Sequence, residues 1–379
     1  MRKIVPVCCV MFLFWGCAHE QEPATVINTP GPIISPARWD HQAIRLLAGR
    51  VLVVGGMEND NIPGGEIILP DAGLTIDPST GDVQATGPVS QKLWRNTATL
   101  LRDGRVLIAG GQSLDPSVIA LDHAEIFDPA KNQFETTANP MLFARHTHTA
   151  TLLANGMVLL AGGDGPYVDL VRNGCELFDP ATETFLGVQD MRRFRTGHTA
   201  TLLDSGHVLV AGGVIWFGPH HIYPEEAELF DPASSAFRIA HDPYPIPYSY
   251  QDSALKLHSG KVLLISMSSN VASLYNPVTE GFEETGAMIH KRLGATYTFL
   301  EETGEVLVAG GYIPNSAFTP VMEMEIYDPD TGRFVECGTL LQPRYFHTAT
   351  LLPGNKVLLV GGLGSDGKPI GQCVFVEIK

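Results

Sequence analysis

The sequence predicts an all-β fold, a seven-bladed β-propeller built from four-stranded antiparallel blades. An apolar pair, a tight polar turn and a β-rich run recur seven times at a spacing of about fifty residues, which is typical of propeller blades. The clearest copies are 148–163, 198–213 and 347–362. A glycine pair ends the run at 55–56, 110–111, 162–163, 212–213, 310–311 and 361–362, and Ser266-Met267 takes its place in the remaining copy.

One repeat, residues 145–191, shows how the pattern becomes a blade. HTATLL is a first strand, a polar turn follows at 154–156, and MVLLAGG is a second strand. CELFDP forms a third strand and TFLGV a fourth. The second strands are almost continuously apolar, which is typical of strands buried on both faces. Stacking of neighbouring blades would supply this burial.

The turn between the third and fourth strands has its own signature. Asp ends the strand with a side chain that can hold a turn, and Pro presets the backbone of the next residue. The pair recurs as Asp77-Pro78, Asp128-Pro129, Asp179-Pro180, Asp231-Pro232 and Asp328-Pro329, with Asn276-Pro277 in blade five.

These features resemble kelch repeats. The resemblance rests on Gly-Gly after strand two, on Glu-x-Phe/Tyr-Asp-Pro at the end of strand three, and on an aromatic residue in strand four: Phe134, Phe185, Phe237, Phe282 and Phe334. It covers Arg38 to Lys379. The resemblance implies a propeller, but the kelch family includes protein-binding domains, sugar-acid isomerases and copper-radical oxidases, so it leaves the function open.

The last repeat ends after its third strand, at 372–379, and needs a fourth strand from elsewhere. The segment 24–34 before blade one is the candidate. A closed ring leaves no unpaired inner edge, which is the physical reason for such a clasp. We therefore expect a tether and ring-closing strand at 18–37 and the propeller at 38–379.

The first 17 residues are expected to be an export signal. Arg2 and Lys3 precede an apolar run at 4–15 that is too short to span a bilayer as a helix. Gly16-Cys17 after it resembles a bacterial lipoprotein box, in which Cys17 would carry the lipid. The alternative is ordinary cleavage near Ala18, which would release a soluble exported protein. Both alternatives place the protein in the bacterial cell envelope or outside it.

Charge and cysteine content exclude several classes of function. The formal net charge of −16 would repel a phosphate backbone, so nucleic acid is not expected as a partner. Cys175, Cys337 and Cys373 are expected to be buried apolar side chains, and no cysteine or histidine spacing typical of zinc occurs. We expect a monomer without a metal or another cofactor.

A recurring arginine marks the predicted functional face, where first strands begin and second strands end. The five arginines stand three positions before the repeat's histidine, or its replacement in blade six: Arg38, Arg145, Arg195, Arg292 and Arg344. Arginine binds carboxylates and sulfates through two parallel hydrogen bonds, so the ring could hold an anion. Alternatively, these arginines pair within blades with Glu125, Glu176, Glu228 and Glu325.

Two loops that the blades do not require add aromatic residues to the same face, between blades four and five. They contribute Trp216, Phe217, His220, His221, Tyr223, Tyr244, Tyr248 and Tyr250. Aromatic faces of this kind suit a sugar ring or a peptide. Alternatively, the loops pack only on themselves.

The sequence thus favours a non-catalytic envelope protein that binds a glycan or a protein. The alternative is a sugar-acid mutarotase or isomerase at the propeller pore, since the arginine ring is similar to that of exported kelch mutarotases. The resemblance also includes copper-radical oxidases, which need a Cys–Tyr crosslink, a second Tyr and two His. No cysteine lies in a comparable inner-face loop, so we do not expect copper.

Overall fold

The computed structural model describes residues 26–59, 68–113, 115, 118–166, 173–217, 220–243, 253–267, 269–314 and 319–379, with the backbone alone at 216–217, 220–221 and 241–243. Its strands form seven antiparallel sheets, each with a four-strand path, and one small two-stranded sheet. The predicted seven-bladed β-propeller is confirmed. In the described part of the chain, no helix is long and apolar enough to cross a membrane.

Blades one to three follow the chain order without interruption. Blade one contains β2 (Gln42–Arg45), β3 (Val51–Val54), β4 (Ala72–Ile76) and β5 (Val83–Pro88). Blade two contains β6 (Thr97–Leu100), β7 (Val106–Ala109), β8 (Ala124–Asp128) and β9 (Gln133–Thr136). Blade three contains β10 (Thr149–Leu152), β11 (Val158–Ala161), β12 (Cys175–Asp179) and β13 (Thr184–Gly187).

Blades four and six carry short additional strands, and blade five does not in the described residues. Blade four contains β14 (Thr196–Leu202), β15 (Val208–Phe217), β17 (Glu226–Asp231) and β18 (Ala236–Pro243), with β16 (His220–Ile222) paired to β15. Blade five contains β19 (Ser253–Lys256), β20 (Val262–Ile265), β21 (Ala272–Asn276) and β22 (Gly281–Glu284). Blade six contains β23 (Thr296–Phe299), β24 (Val306–Ala309), β27 (Glu323–Asp328) and β28 (Arg333–Thr339), beside the small pair β25 (Tyr312–Ile313) and β26 (Thr319–Pro320).

Blade seven closes the ring with a strand from the other end of the chain. It contains β29 (Thr348–Leu352), β30 (Lys356–Val360) and β31 (Gln372–Ile378), and its outer strand is β1 (Val26–Ile33). Val26 pairs with Ile378 and Ile33 with Gln372 in antiparallel register. The predicted N-terminal clasp is therefore confirmed.

The core lies between the blades. The four residues of β3, and likewise those of β7, β11, β20 and β24, are all buried, as their apolar sequences predict. Each of seven apolar clusters joins one blade to the next. In the cluster between blades six and seven, for example, Leu307 packs with Leu359. The three cysteines of the described region are free and buried, as expected.

The Asp-Pro turns hold the outer strands as predicted. The Asp179 Oδ1 atom accepts a hydrogen bond from the Ala181 amide at 2.9 Å. Equivalent bonds form at Asp77, Asp128, Asp231, Asn276 and Asp328. With the outer strands fixed, the first strands β2, β6, β10, β14, β19, β23 and β29 follow one another around the axis. These first strands, and the residues just before them, therefore form the walls of whatever lies on the axis.

Candidate functional site

A cavity of about 610 Å³ opens on the propeller axis at the face where the first strands begin. In six blades, the residue just before the histidine position of the repeat lines this cavity. These six residues, here called the axial ring, are Asp40, Arg95, Thr147, Gly197, Gly294 and Phe346. The histidine that follows recurs in most blades and also lines the cavity, whereas the axial ring differs in charge, size and polarity. The axial ring thus gives each blade a different side chain at the cavity.

The axial ring has a strained backbone. All six residues have positive φ, from 53° at Asp40 and Thr147 to 65° at Gly294. Glycine adopts this conformation freely, whereas a β-branched residue such as Thr147 is an outlier there. Hydrogen bonds between blades hold the ring: the Asp40 amide donates to the Phe346 carbonyl at 3.0 Å, and the Thr147 amide to the Arg95 carbonyl at 3.3 Å. Strained residues of this kind cluster at functional sites.

Asp40 and Arg95 place opposite charges in neighbouring blades of the cavity. Loss of hydration raises the pKa of Asp40 to about 6, while the positive charge of Arg95 works in the opposite direction. The Arg95 guanidinium stacks on the Trp94 ring at 4.2 Å from its centroid and donates to Gln112 Oε1 at 3.4 Å. Asp40 can therefore change protonation state near neutral pH beside a cation whose position is fixed.

A hydroxyl group follows in the next blade. The Thr147 Oγ1 atom lies 2.8 Å from the Nδ1 atom of His146. Burial and the charge of Arg95 lower the pKa of His146 to about 4, although Asp164 raises it slightly, so the imidazole is neutral at pH 7. A neutral imidazole can fix the direction of the Thr147 hydroxyl without adding charge. Blades one to three thus present a carboxyl, a guanidinium and a hydroxyl to the cavity.

On the other side of Asp40, in blade seven, the axial ring is aromatic. The Phe346 ring lies 5.8 Å from Trp39, 6.0 Å from Tyr312 and 5.5 Å from Tyr345, measured between ring centroids. A side chain at Gly294 would meet the Phe346 ring at 3.0 Å, so glycine at that position makes room for the ring. Phe346 therefore adds an apolar surface to the cavity, next to Asp40 of blade one.

The five arginines expected to bind a ligand lie inside the blades, each with a fully buried side chain. Arg145 and Arg195 approach Glu176 and Glu228 at 2.9 and 3.0 Å, and Arg292 contacts Glu325. Arg38 and Arg344 donate to backbone carbonyls, and burial lowers the pKa of both to about 10. The expected guanidinium ring is therefore not on the cavity surface, because the blade interior uses these groups.

The aromatic loop residues are only partly described. Trp216 and Phe217 pair by their backbones with His221 and His220 across the hairpin of β15 and β16. Tyr223 follows this hairpin and is partly exposed. Tyr244, Tyr248 and Tyr250, like Cys17 and the whole export segment, lie outside the described residues. Ligand binding by these loops and lipidation of Cys17 stay predictions.

Sequence reasoning did not identify Asp40, Arg95, Thr147 or Phe346. A signal was present, because these side chains stand at the second variable position of the recurring Arg-x-x-His frame. It could have been found by asking which position varies between repeats. Recurrence drew attention to the arginines instead, and recurring residues in a repeat protein are the ones that build the repeat.

The described residues contain no cluster of His, Cys, Asp and Glu suited to a metal ion. No group of three or more His, Cys, Asp or Glu side chains in the described ranges could hold a metal ion. His41, His148, His198 and His347 lie near the axis, but each bonds through Nε2 to a threonine hydroxyl of the preceding blade. Burial raises the pKa of the Cys175 and Cys373 thiols to about 12, which disfavours the thiolate that a metal requires.

Comparison with known proteins gives a fold and no family. No protein-family model matches the chain, and no curated protein does. Among solved structures, the chain is similar to one described as a novel fungal alcohol oxidase with catalytic diversity among the AA5 family, in complex with copper. The match has a TM-score of 0.70 at 18% sequence identity, and it covers 92% of this chain and 76% of the other. At that identity the likeness shows the propeller fold alone.

The sequence-based prediction of a non-catalytic binding protein is contradicted by this neighbour, which is an enzyme. The physical reason is visible in the cavity: the predicted ligand-binding arginines are internal, whereas the residues that do face the axis include a titratable carboxyl beside a cation. A function for this chain has to start from those residues.

Proposed function

We propose that this protein is an enzyme that transfers protons on a small, hydroxylated, anionic substrate in the axial cavity. The observation that carries the proposal is Asp40, whose carboxyl has a pKa of about 6 and lies beside the fixed guanidinium of Arg95. A carboxyl with a pKa near the working pH serves as both base and acid. A strongly perturbed carboxyl with a specific charged neighbour in a cavity is also typical of an active site.

The residues divide the work as follows. Asp40 is the general base and then the general acid. Arg95 binds the anionic group and stabilises negative charge that develops nearby. Thr147, oriented by His146, hydrogen-bonds a substrate oxygen. Phe346 offers a face on which the less polar side of a sugar ring can stack.

A cyclic hemiacetal such as a hexuronic acid illustrates the reaction. Asp40 accepts the proton of the anomeric hydroxyl, the bond from the anomeric carbon to the ring oxygen breaks, and the ring oxygen takes a proton from water. The aldehyde so formed closes on either face, the ring oxygen returns its proton to the hydroxide left by that water, and Asp40 returns its own to the new anomeric oxygen. No electrons leave the substrate, so the cycle needs no oxidant.

The kelch identity of the repeat and the export of the protein belong to the same proposal. The glycine pairs and the Glu-x-Phe/Tyr-Asp-Pro strands support the kelch type, and the segment 1–17 supports export with Cys17 as the lipidated residue. An envelope location would bring the cavity into contact with exogenous sugar acids.

The test is a turnover assay on glucuronic and galacturonic acids and on neutral glucose and galactose. Anomeric exchange is followed by NMR for the wild type, Asp40→Asn and Arg95→Met. We expect faster exchange with the acids, a loss on the order of a hundredfold in Asp40→Asn, and a loss of the acid preference in Arg95→Met. Full activity in Asp40→Asn would overturn the proposal. So would the absence of exchange together with peroxide formation from alcohols after loading with Cu²⁺.

A further inference from the structure

The wall of the cavity formed by blades five to seven differs chemically from the wall formed by blades one to three. Asp40, Arg95 and Thr147 make the polar side. Across the axis the lining consists of Met267, Gly294, Ala295 and Phe346, together with His347 at the start of blade seven. A volume of about 610 Å³ is in the range of pockets that hold drug-sized ligands, and so exceeds the needs of a single sugar ring. The extra room lies against an apolar surface on one side only.

The apolar side arises at a seam between blades that breaks the repeat. At four other seams, the first glycine of the pair lies under the histidine ring of the next blade. A Cβ atom there would come within 2.6 to 2.8 Å of the ring's Cε1 atom: Gly110 under His148, Gly162 under His198, Gly310 under His347 and Gly361 under His41. Glycine at this position therefore makes room for the histidine ring.

Between blades five and six both members of this pair are replaced. Ser266 stands at the glycine position and Ala295 at the histidine position. Ser266 is fully buried, and Ala295 packs in the apolar cluster that contains Ile265 of blade five. Because alanine replaces imidazole, this seam presents a methyl group where the neighbouring seams place a histidine side chain among the lining residues.

The second glycine of the pair is replaced as well. Met267 stands in its place, and its side chain lines the cavity in the same sector as Gly294 and Ala295. Methionine is flexible and polarizable, so it adapts to apolar groups of different shape. Ala295 and Met267, two neighbouring departures from the repeat, thus both make this sector less polar.

We propose that the substrate carries an uncharged alkyl or aryl substituent, which lies between Met267, Ala295 and Phe346 while the anionic group faces Arg95. The proposal rests on the proposed function, and it narrows the substrate class to amphipathic sugar acids or hydroxy acids. A pocket that buries one additional apolar group discriminates by roughly 10-fold to 200-fold in kcat/KM.

The test compares glucuronic acid with its mono-O-butyl and mono-O-benzyl ethers, all of which keep the anomeric hydroxyl and the carboxylate. We expect the wild type to favour an ether by roughly tenfold or more in kcat/KM. The double variant Ser266→Gly/Ala295→His restores the repeat's pair and places an imidazole in this sector. It should lose the preference for the ether and keep its activity on glucuronic acid.

Two further variants distinguish a change in substrate preference from a failure of the double variant to fold. Asn96→His also restores the repeat's histidine, but above Gly55 at the seam between blades one and two, and it should leave the ether preference unchanged. Met267→Lys puts a charge into the apolar wall and should lower the ether preference without any change at the seam itself.

The two proposals fail in different ways. No exchange with any acid would overturn the proposed function. Exchange at equal rates with and without the substituent, or an ether preference that survives both Ser266→Gly/Ala295→His and Met267→Lys, would overturn only the inference about the substituent.

Discussion

The Nε2 atom of His148 in blade three lies 3.0 Å from the Oγ1 atom of Thr97 in blade two. The same bond joins three other seams: His198 to Thr149, His41 to Thr348 and His347 to Thr296. Both partners come from the segment that reads HTAT in its clearest copies, the histidine from its first position and the threonine from its second. This segment therefore links blades as well as forming the first strand of each.

Removal of one threonine hydroxyl should weaken its seam. Thr97→Val keeps the shape of the side chain but leaves the buried Nε2 atom of His148 without its partner. An unsatisfied buried polar group costs about 1–3 kcal/mol, so we expect that loss in the free energy of unfolding measured with urea. Thr97→Ser, which retains the hydroxyl, is the matched control. A Thr97→Val protein as stable as the wild type would show that the bond contributes nothing.

As the pH falls, the protein should lose stability at a higher pH than its carboxylates alone would predict. Burial is the largest of the effects that lower the pKa of five histidines. They are His41, His146, His148, His198 and His347. Below pH 6.5, their ordinary pKa, the unfolded chain therefore binds protons that the folded chain does not. Each histidine then lowers the free energy of unfolding by about 1.4 kcal/mol for each unit of falling pH, until the pH reaches the pKa of that histidine in the folded protein.

Asp40 acts in the opposite direction, because its raised pKa makes the folded chain the better proton binder between pH 3.8 and about 6. The histidines outnumber it, so we expect the free energy of unfolding to fall steadily as the pH drops from 6.5 to 5. His198→Phe should lower the slope of the free energy of unfolding against pH by the equivalent of one bound proton. Urea titrations at several pH values measure this slope. A pH-independent stability over this range would contradict the assignment.

Relief of the backbone strain at Thr147 should have different effects on stability and on activity. Thr147 and Ser235 both have a φ of 53°, but only Thr147 lines the cavity. A non-glycine residue in this conformation costs about 1–3 kcal/mol, which glycine relieves. Thr147→Gly should therefore be at least as stable as the wild type in thermal melts, yet lose at least tenfold in kcat.

Ser235→Gly is the matched control, because it relieves the same conformation in an outer turn of blade four. It should gain stability and keep full activity. If Thr147→Gly kept full activity as well, the strain at Thr147 would have no catalytic role.

The pH profile of kcat/KM should identify the charges around Asp40. As a base, Asp40 must lose its proton, so kcat/KM should rise as the pH increases through about 6. Arg95 favours the ionised carboxyl, so Arg95→Met should move this limb to higher pH, whereas Arg95→Lys keeps a positive charge and should move it less. An unchanged limb in Arg95→Met would assign the titration to another group.

Local sequence signals predicted most of the fold because each acts over a few residues. The Asp-Pro turns depend on a side chain that bonds an amide two residues away, as Asp179 does with Ala181. The buried second strands follow from apolar runs such as Val106–Ala109. The clasp by Val26–Ile33 was predictable because a ring of repeats that lacks one strand has to find it.

The site was less predictable because its members are neighbours only around the ring. Asp40 and Arg95 are separated by a whole blade in sequence, so the effect of Arg95 on the pKa of Asp40 has no sequence signature. The recurring Arg145 also looked functional, since a charge in a repeat can face either the axis or the blade interior. Its contact with Glu176 settles that the interior holds it.

The sequence by itself determined the number of blades, their turns, their buried strands and the strand that closes the ring, because these features repeat and depend on local chemistry. The tertiary structure alone decided which of the recurring polar residues are internal and which variable residues share a cavity. Burial and distance around the axis are properties of the closed ring. They place Arg145 against Glu176 inside a blade, and they leave Asp40 and Arg95 facing the cavity.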